Sequence, residues 1–107
     1  MARAATTSDP FNAIAEPRRR HILEFIAGEE HSVSEIADAL ELNQPSVSKH
    51  LLVLSEVGLV SSRRDGRRTM YRTNADKLRA IHKWSAMFEK YWRNQLRRIK
   101  DHAEGQK

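Results

Sequence analysis

The sequence predicts a mainly α-helical domain with one small β-hairpin. Three observations predict it. Apolar residues recur at helical spacing along most of the chain, the recurrence switches once to a strand-like pattern around Asp65-Gly66, and a capping residue or a proline stands where each of the first helices begins. With 107 residues and 39% hydrophobic content the chain fits one small domain of thin stability margin, to which a partner subunit burying more apolar surface would add.

The first eight residues, MARAATTS, are small and polar and read as a disordered tail, with the domain running from 9 to 104. From Pro10 to Ala27, Phe11, Ile14, Ile22, Leu23, Phe25 and Ile26 fall at helical spacings. Pro17 interrupts them where one helix can end and the next begin. Asp9 before Pro10 reads as an N-cap, Glu16-Pro17 opens the second helix, and Gly28 is expected to close it. Val33, Ile36, Ala37 and Leu40 mark one face of a short helix that begins at Ser32 or Ser34, with Ser-x-x-Glu spacing at its start. The stretch ELNQ then breaks the pattern.

The segment NQPSVSKHLLVL, residues 43–54, divides by face. On a helical wheel Val47, Leu51 and Leu54 share one side, flanked by His50 and Val57, and Pro45, Ser48, Lys49 and Leu52 take the other. Pro45 is tolerated because the first helical turn has no hydrogen bond for its missing N–H to lose. Gly58 ends the helix. Leu59-Val60 and Met70-Tyr71 flank an Asp65-Gly66 turn, the signature of a two-stranded hairpin, whose tip carries Arg63, Arg64, Arg67 and Arg68. A long final helix from about Ala75 to Ala103 carries a stripe of Leu78, Ile81, Trp84, Phe88, Trp92, Leu96 and Ile99.

Composition narrows the function. Nineteen Lys and Arg against 14 Asp and Glu give a net charge of +5, which favours anionic partners such as nucleic acid or acidic membrane. The absence of cysteine excludes disulfides, thiolate metal sites and a cysteine nucleophile, and fits a cytoplasmic protein. No apolar run approaches the ~20 residues of a membrane helix, and MARAATTSD lacks the apolar centre of a secretory signal. No nucleophile, phosphate-binding glycine loop or ligand cluster gives an enzyme a mechanism, and no cofactor is expected.

Two helices joined by a short turn and followed by a hairpin with a basic tip form the order of a winged helix-turn-helix, whose second helix enters the DNA major groove. Gln44 can address an adenine edge or a phosphate, Ser46 and Ser48 can donate to either, Lys49 supplies a mobile charge, and Pro45 belongs to the same contact surface. His50, nearer the packed side, can support the helix or touch phosphate. Arg63, Arg64, Arg67 and Arg68 can reach a flanking phosphate or the minor groove. Each feature alone is ordinary, since polar helix faces and arginine-rich turns are usually just solvated; their order along the chain is what points to DNA. The run Arg18-Arg19-Arg20-His21 admits phosphate contacts or, as the favoured reading, a solvated face with salt bridges to Glu16 and Glu24.

Most of the chain, from Asp9 to about Lys100, resembles the ArsR-type bacterial winged-helix repressors. The resemblance is carried by FNAIAEPRRRHILEFI, VSEIADALEL, NQPSVSKHLLVLSEVGLV and RRDGRRTMYRTN, the third being the most specific. It implies a homodimeric transcriptional repressor that binds double-stranded DNA at a palindromic operator. Metal-sensing members often carry paired cysteines where this chain reads Ser32-Val33-Ser34, and serine is a poor ligand for soft metals. Asp76, His82, Glu89, His102 and Glu104 do not reproduce the spacing of the other common metal site, so no metal is expected. Leu52 also departs from the resemblance, standing where members often place a basic residue; contact with a thymine methyl and packing beside the wing are both open to it.

The final stripe is too long for one subunit of this size to cover. Phe11, Ile14, Ile81, Trp84, Phe88, Tyr91, Trp92 and Leu96 are therefore expected to bury against a symmetry mate. Two other readings stay open: a repressor of the same architecture gated by a metal or a small-molecule effector, and a winged helix used as a protein-interaction module that does not bind DNA.

Overall fold

The computed structural model describes residues 9–105, with side chains through Lys100. The tail expected over residues 1–8 lies outside the described residues. Helix α1 (Pro10–Ile14) starts at Asp9, whose Oδ1 accepts from the Phe11 N–H at 2.9 Å. Helix α2 (Pro17–Phe25) starts at Glu16, whose side chain accepts from the Arg18 N–H at 3.1 Å. Both are N-caps followed by proline, as the sequence requires.

The other end of α2 differs from expectation. The helix stops at Phe25, ahead of Gly28, because the chain finds partners for its last carbonyls elsewhere. Buried Thr73 donates its hydroxyl to the Leu23 carbonyl at 2.7 Å and its N–H to the Ile26 carbonyl at 3.1 Å. A contact across 50 residues thus does the work assigned to a glycine.

A two-residue strand, β1 (His31–Ser32), precedes helix α3 (Val33–Leu40). Ser32 closes a capping box with Glu35: its Oγ accepts from the Glu35 N–H, and the Glu35 carboxylate accepts from the Ser32 N–H at 2.9 Å. Glu41, at φ 57°, turns the chain through the left-handed region, and the Leu42 N–H closes onto the Ala37 carbonyl at 2.9 Å. Helix α4 (Gln44–Glu56) follows at once and ends at Gly58, φ 79°.

Strands β2 (Val60–Asp65) and β3 (Arg68–Thr73) pair antiparallel, and β1 adds to the other edge of β3, giving the sheet order β1-β3-β2. Strand β1 is an addition to the two-stranded hairpin expected. The register Asp65↔Arg68 leaves Gly66 and Arg67 as the loop, one position beyond the expected turn. Gly66 alone of the two has positive φ, 65°, the demand that a type II′ loop makes at its first central position.

The core gathers Ala13 of α1, Ile22, Leu23 and Ile26 around α2, Ile36 and Ala37 of α3, Val47, Leu51 and Leu54 of α4, and Leu59 and Val60 at the base of the wing. Each fully buried aliphatic side chain contributes roughly 1.5–3 kcal/mol, and together they fix α3 and α4 against α2.

The final helix is not continuous. A 3-10 turn (Ala75–Leu78) leads into α5 (Arg79–Ala86), and α6 (Glu89–Gly105) begins after a break at Met87-Phe88. There the Met87 and Phe88 N–H groups bond the carbonyls of Trp84 and Ser85, three residues back, which tightens the turn. Residues 91–100 are exposed throughout, and the molecule measures 62 × 36 × 22 Å with a radius of gyration of 18.2 Å. A compact domain of this length would have about 13 Å, so the last helix projects from the body.

Candidate nucleic-acid interface

Helix α4 is seated by Val47, Leu51 and Leu54, all buried, and that seating turns Pro45, Ser48, Lys49 and Leu52 outward. Asn43 caps it by accepting from the Ser46 N–H at 2.8 Å, and Ser46 is half-buried at the first turn. Gln44, Ser48 and Lys49 are exposed and make no side-chain hydrogen bond or ion pair with other described residues. A cleft of about 250 Å³ brings Gln44 and Ser34 opposite Arg68 and Thr69 of the wing. The start of α4 and the wing therefore open on one side of the molecule.

His50 lies on the flank of α4, half-buried near the start of α2. Burial, then the Arg19 and Arg18 guanidiniums, push its imidazole below the ordinary value against a partial opposing pull from Glu16. A histidine whose folded pKa is lowered contributes stability that is present above its unfolded value of 6.5 and is lost as pH falls through the folded value. Glu16 and Glu35, lowered mainly by the backbone N–H bonds they accept from Arg18 and Ser32, act in the same direction but only below 4.5. Thermal denaturation should therefore show stability falling between pH 6.5 and 4.5 in the native chain and a flatter profile there in His50→Gln; identical profiles would contradict the assignment.

The four wing arginines are not equivalent. Arg63, on β2, grips Glu30 through two bonds, one from Nε to Oε2 at 3.1 Å and one to Oε1, and these bonds raise the guanidinium pKa above its ordinary value. Arg68, on β3, stands 3.7 Å from Glu35. Arg64 folds over the tip, donating to Thr69 Oγ1 at 3.2 Å and to the Gly66 carbonyl at 3.3 Å. Arg67 occupies the apex, exposed and without a side-chain partner among the described residues. Glu30 and Glu35 were absent from the expected site. Glu35 was legible only as a cap, and Glu30 meets Arg63 across 33 residues, a separation for which no local pattern exists.

The run at Arg18 needs a correction. Arg19 donates to the Ala13 carbonyl at 2.7 Å and Arg20 to those of Ile14 and Ala15 at 2.7 and 3.3 Å, rather than forming the expected salt bridges with Glu16 and Glu24. A helix as short as α1 leaves its final carbonyls without intrahelical donors, and these guanidiniums supply them.

Of the residues weighed as metal ligands, Asp76 pairs with Arg79 at 3.2 Å, Glu89 with Arg93 at 2.5 Å, and His82 is exposed. The side chains of His102 and Glu104 lie outside those described. Among the described residues no three His, Asp or Glu side chains gather around one point.

At the opposite end, Phe11 meets Trp84 edge-on at 5.7 Å, Trp84 meets Phe88 at 5.2 Å, and Phe88 meets Tyr91 at 6.5 Å. Trp84 is 53% exposed and Trp92 48%, with Tyr91, Leu96 and Ile99 also uncovered. Ile14 packs against the core and Ile81 is half-buried. Met87, exposed at the helix break, extends the stripe and was not anticipated.

The family model for bacterial regulatory proteins of the arsR family matches residues 16–62. A probable mercury resistance operon repressor of Streptomyces lividans is 41% identical over 66 residues, covering 62% of this chain and 53% of that protein. The transcriptional repressor SdpR of Bacillus subtilis is 32% identical over 78 residues, covering 73% of this chain and 87% of SdpR. The chain thus spans about half the length of the first relative and most of the second. Among solved structures, a homodimeric winged helix-turn-helix DNA-binding domain from Mycobacterium bovis superposes with a TM-score of 0.63 at 34% identity, covering 79% of each chain.

Proposed function

The chain belongs to the arsR family of bacterial regulatory proteins, and on that premise we propose that it is a cytoplasmic homodimeric repressor that occupies an inverted-repeat operator and blocks access to a promoter. The relatives compared are transcriptional regulators rather than enzymes. One observation supports the reading above the rest: the start of α4, with exposed Gln44, opens onto the same cleft as Arg68 and Thr69 of the arginine wing. With α4 in the major groove, Gln44, Ser48 and Lys49 read base edges and phosphates. Pro45 and Ser46 form the leading edge of that surface, and His50 steadies the helix from behind. Arg64 and Arg67 meet phosphate at the tip. Arg63 and Arg68 hold the wing against the body and offer their remaining N–H groups to the backbone.

Mercury belongs to the relative's name alone. A chain without cysteine lacks the thiolates such a soft metal needs.

Selection of bound sequences from a random DNA pool at two salt concentrations tests the proposal. Recovery of an inverted repeat with half-sites about 10 base pairs apart is expected; a pool that stays random would overturn it in favour of a protein-interaction module.

The wing contacts carry a prediction of unusual sign. Removing an acid beside a polyanion ordinarily tightens binding, yet Glu30→Gln should weaken operator binding by about two- to fivefold because it frees Arg63 and the wing it holds. Tighter binding by that variant in a fluorescence titration would show that Glu30 acts only as a local repulsive charge.

A further inference from the structure

Among the described residues the exposed large hydrophobics fall into two groups. Phe11, Trp84, Met87, Phe88, Tyr91, Trp92, Leu96 and Ile99 belong to α1 and the terminal helices; Leu52 stands apart on α4, 60% exposed. A single exposed leucine is ordinary on a protein surface, so its meaning lies in its place. At that exposure most of its side chain is open for contact. With about 100° per residue, Leu52 lies roughly 40° around the helix from Ser48 and on the way to Lys49. It is therefore inside the polar strip offered to DNA, on the side away from Val47, Leu51 and Leu54. Along the axis it sits about 6 Å beyond Ser48, a distance of about two base-pair steps.

We propose that Leu52 is a specificity-determining residue that recognises the 5-methyl group of a thymine in each half-site, about two base pairs from the pair that Ser48 addresses. The inference rests on the DNA-binding reading above. An aliphatic side chain has no donor or acceptor to offer, and the thymine methyl is the apolar group exposed on the major-groove edge. Lys49 and Ser48 fix the helix through polar contacts on either side, so the leucine approaches the base edge without having to anchor the complex. Closing that contact removes one methyl group and part of one isobutyl group from water. The expected discrimination between thymine and a base lacking the methyl is about fourfold per half-site.

The test pairs one atom group of the DNA with one side chain of the protein. In the operator recovered by selection, each thymine is replaced singly by uracil, which deletes the methyl and leaves every hydrogen-bonding group in place. Affinities are then measured for the native chain and for Leu52→Ala, with Ser48→Ala as a second variant. The native chain should lose about fourfold at one thymine per half-site, Leu52→Ala should lose nothing at that same thymine, and Ser48→Ala should keep the native sensitivity there. If no thymine shows a uracil effect that depends on residue 52, the inference is overturned. Failure to recover any preferred sequence would instead sink the DNA-binding reading itself, so the two failures are distinct. Leu52→Ala changes an exposed helical position to the residue with the best helix propensity, and its circular dichroism and melting curve should match those of the native chain.

Discussion

Trp84→Glu is expected to leave the helix-turn-helix folded, to convert the protein to a monomer in analytical ultracentrifugation, and to lower operator affinity by two orders of magnitude or more. Trp84 is half exposed at the centre of an aromatic cluster with Phe11 and Phe88, yet contributes nothing to the buried core built from α1 to β2. Placing a charge there leaves the isolated subunit intact and makes a dimer bury an unpaired carboxylate, which costs several kcal/mol. Each half-site then binds alone and loses the effective concentration supplied by its linked twin, commonly worth 10²- to 10⁴-fold. A dimer of native affinity in this variant would place the subunit interface elsewhere.

The second large effect is expected at the wing tip. Arg64→Ala combined with Arg67→Ala removes two cations from each subunit while leaving Glu30–Arg63 and Glu35–Arg68, the contacts that hold the wing, in place. If all four tip charges of a dimer meet phosphate, the slope of log affinity against log salt should flatten by about 3 to 4. Affinity at low salt should fall at least a hundredfold, with the sequence preference of α4 unchanged. An unaltered slope, measured by anisotropy at several salt concentrations, would mean that the tip stays in solvent.

What the sequence revealed and what it hid divide along a physical line. Asp9, Glu16-Pro17, Ser32 with Glu35, and Gly58 act within four residues of where they stand, and each marks a helix end that the structure contains. The face of α4 was legible for the same reason, since Val47, Leu51 and Leu54 repeat with the helix. Strand β1 was hidden because two residues carry no period; His31 and Ser32 become a strand only when Tyr71 and Met70 arrive beside them. The closing of α2 by Thr73 and the grip of Glu30 on Arg63 likewise depend on which distant segments meet. The break at Met87-Phe88 had no proline or glycine to announce it, and the apolar stripe runs on across it. The bonds of Arg19 and Arg20 to α1 were hidden because they answer orphaned carbonyls of a short helix, which the charge of the run does not reveal.

The proposed function requires two copies to set their α4 helices one turn apart on the same face of the duplex. The most direct measurement is the affinity for the selected operator against that for a copy with about five base pairs, half a turn, inserted between its half-sites. The insertion is expected to lower affinity to that of a single half-site, because the second helix then faces the far side of the DNA. Equal affinity for the two duplexes would contradict the proposed function.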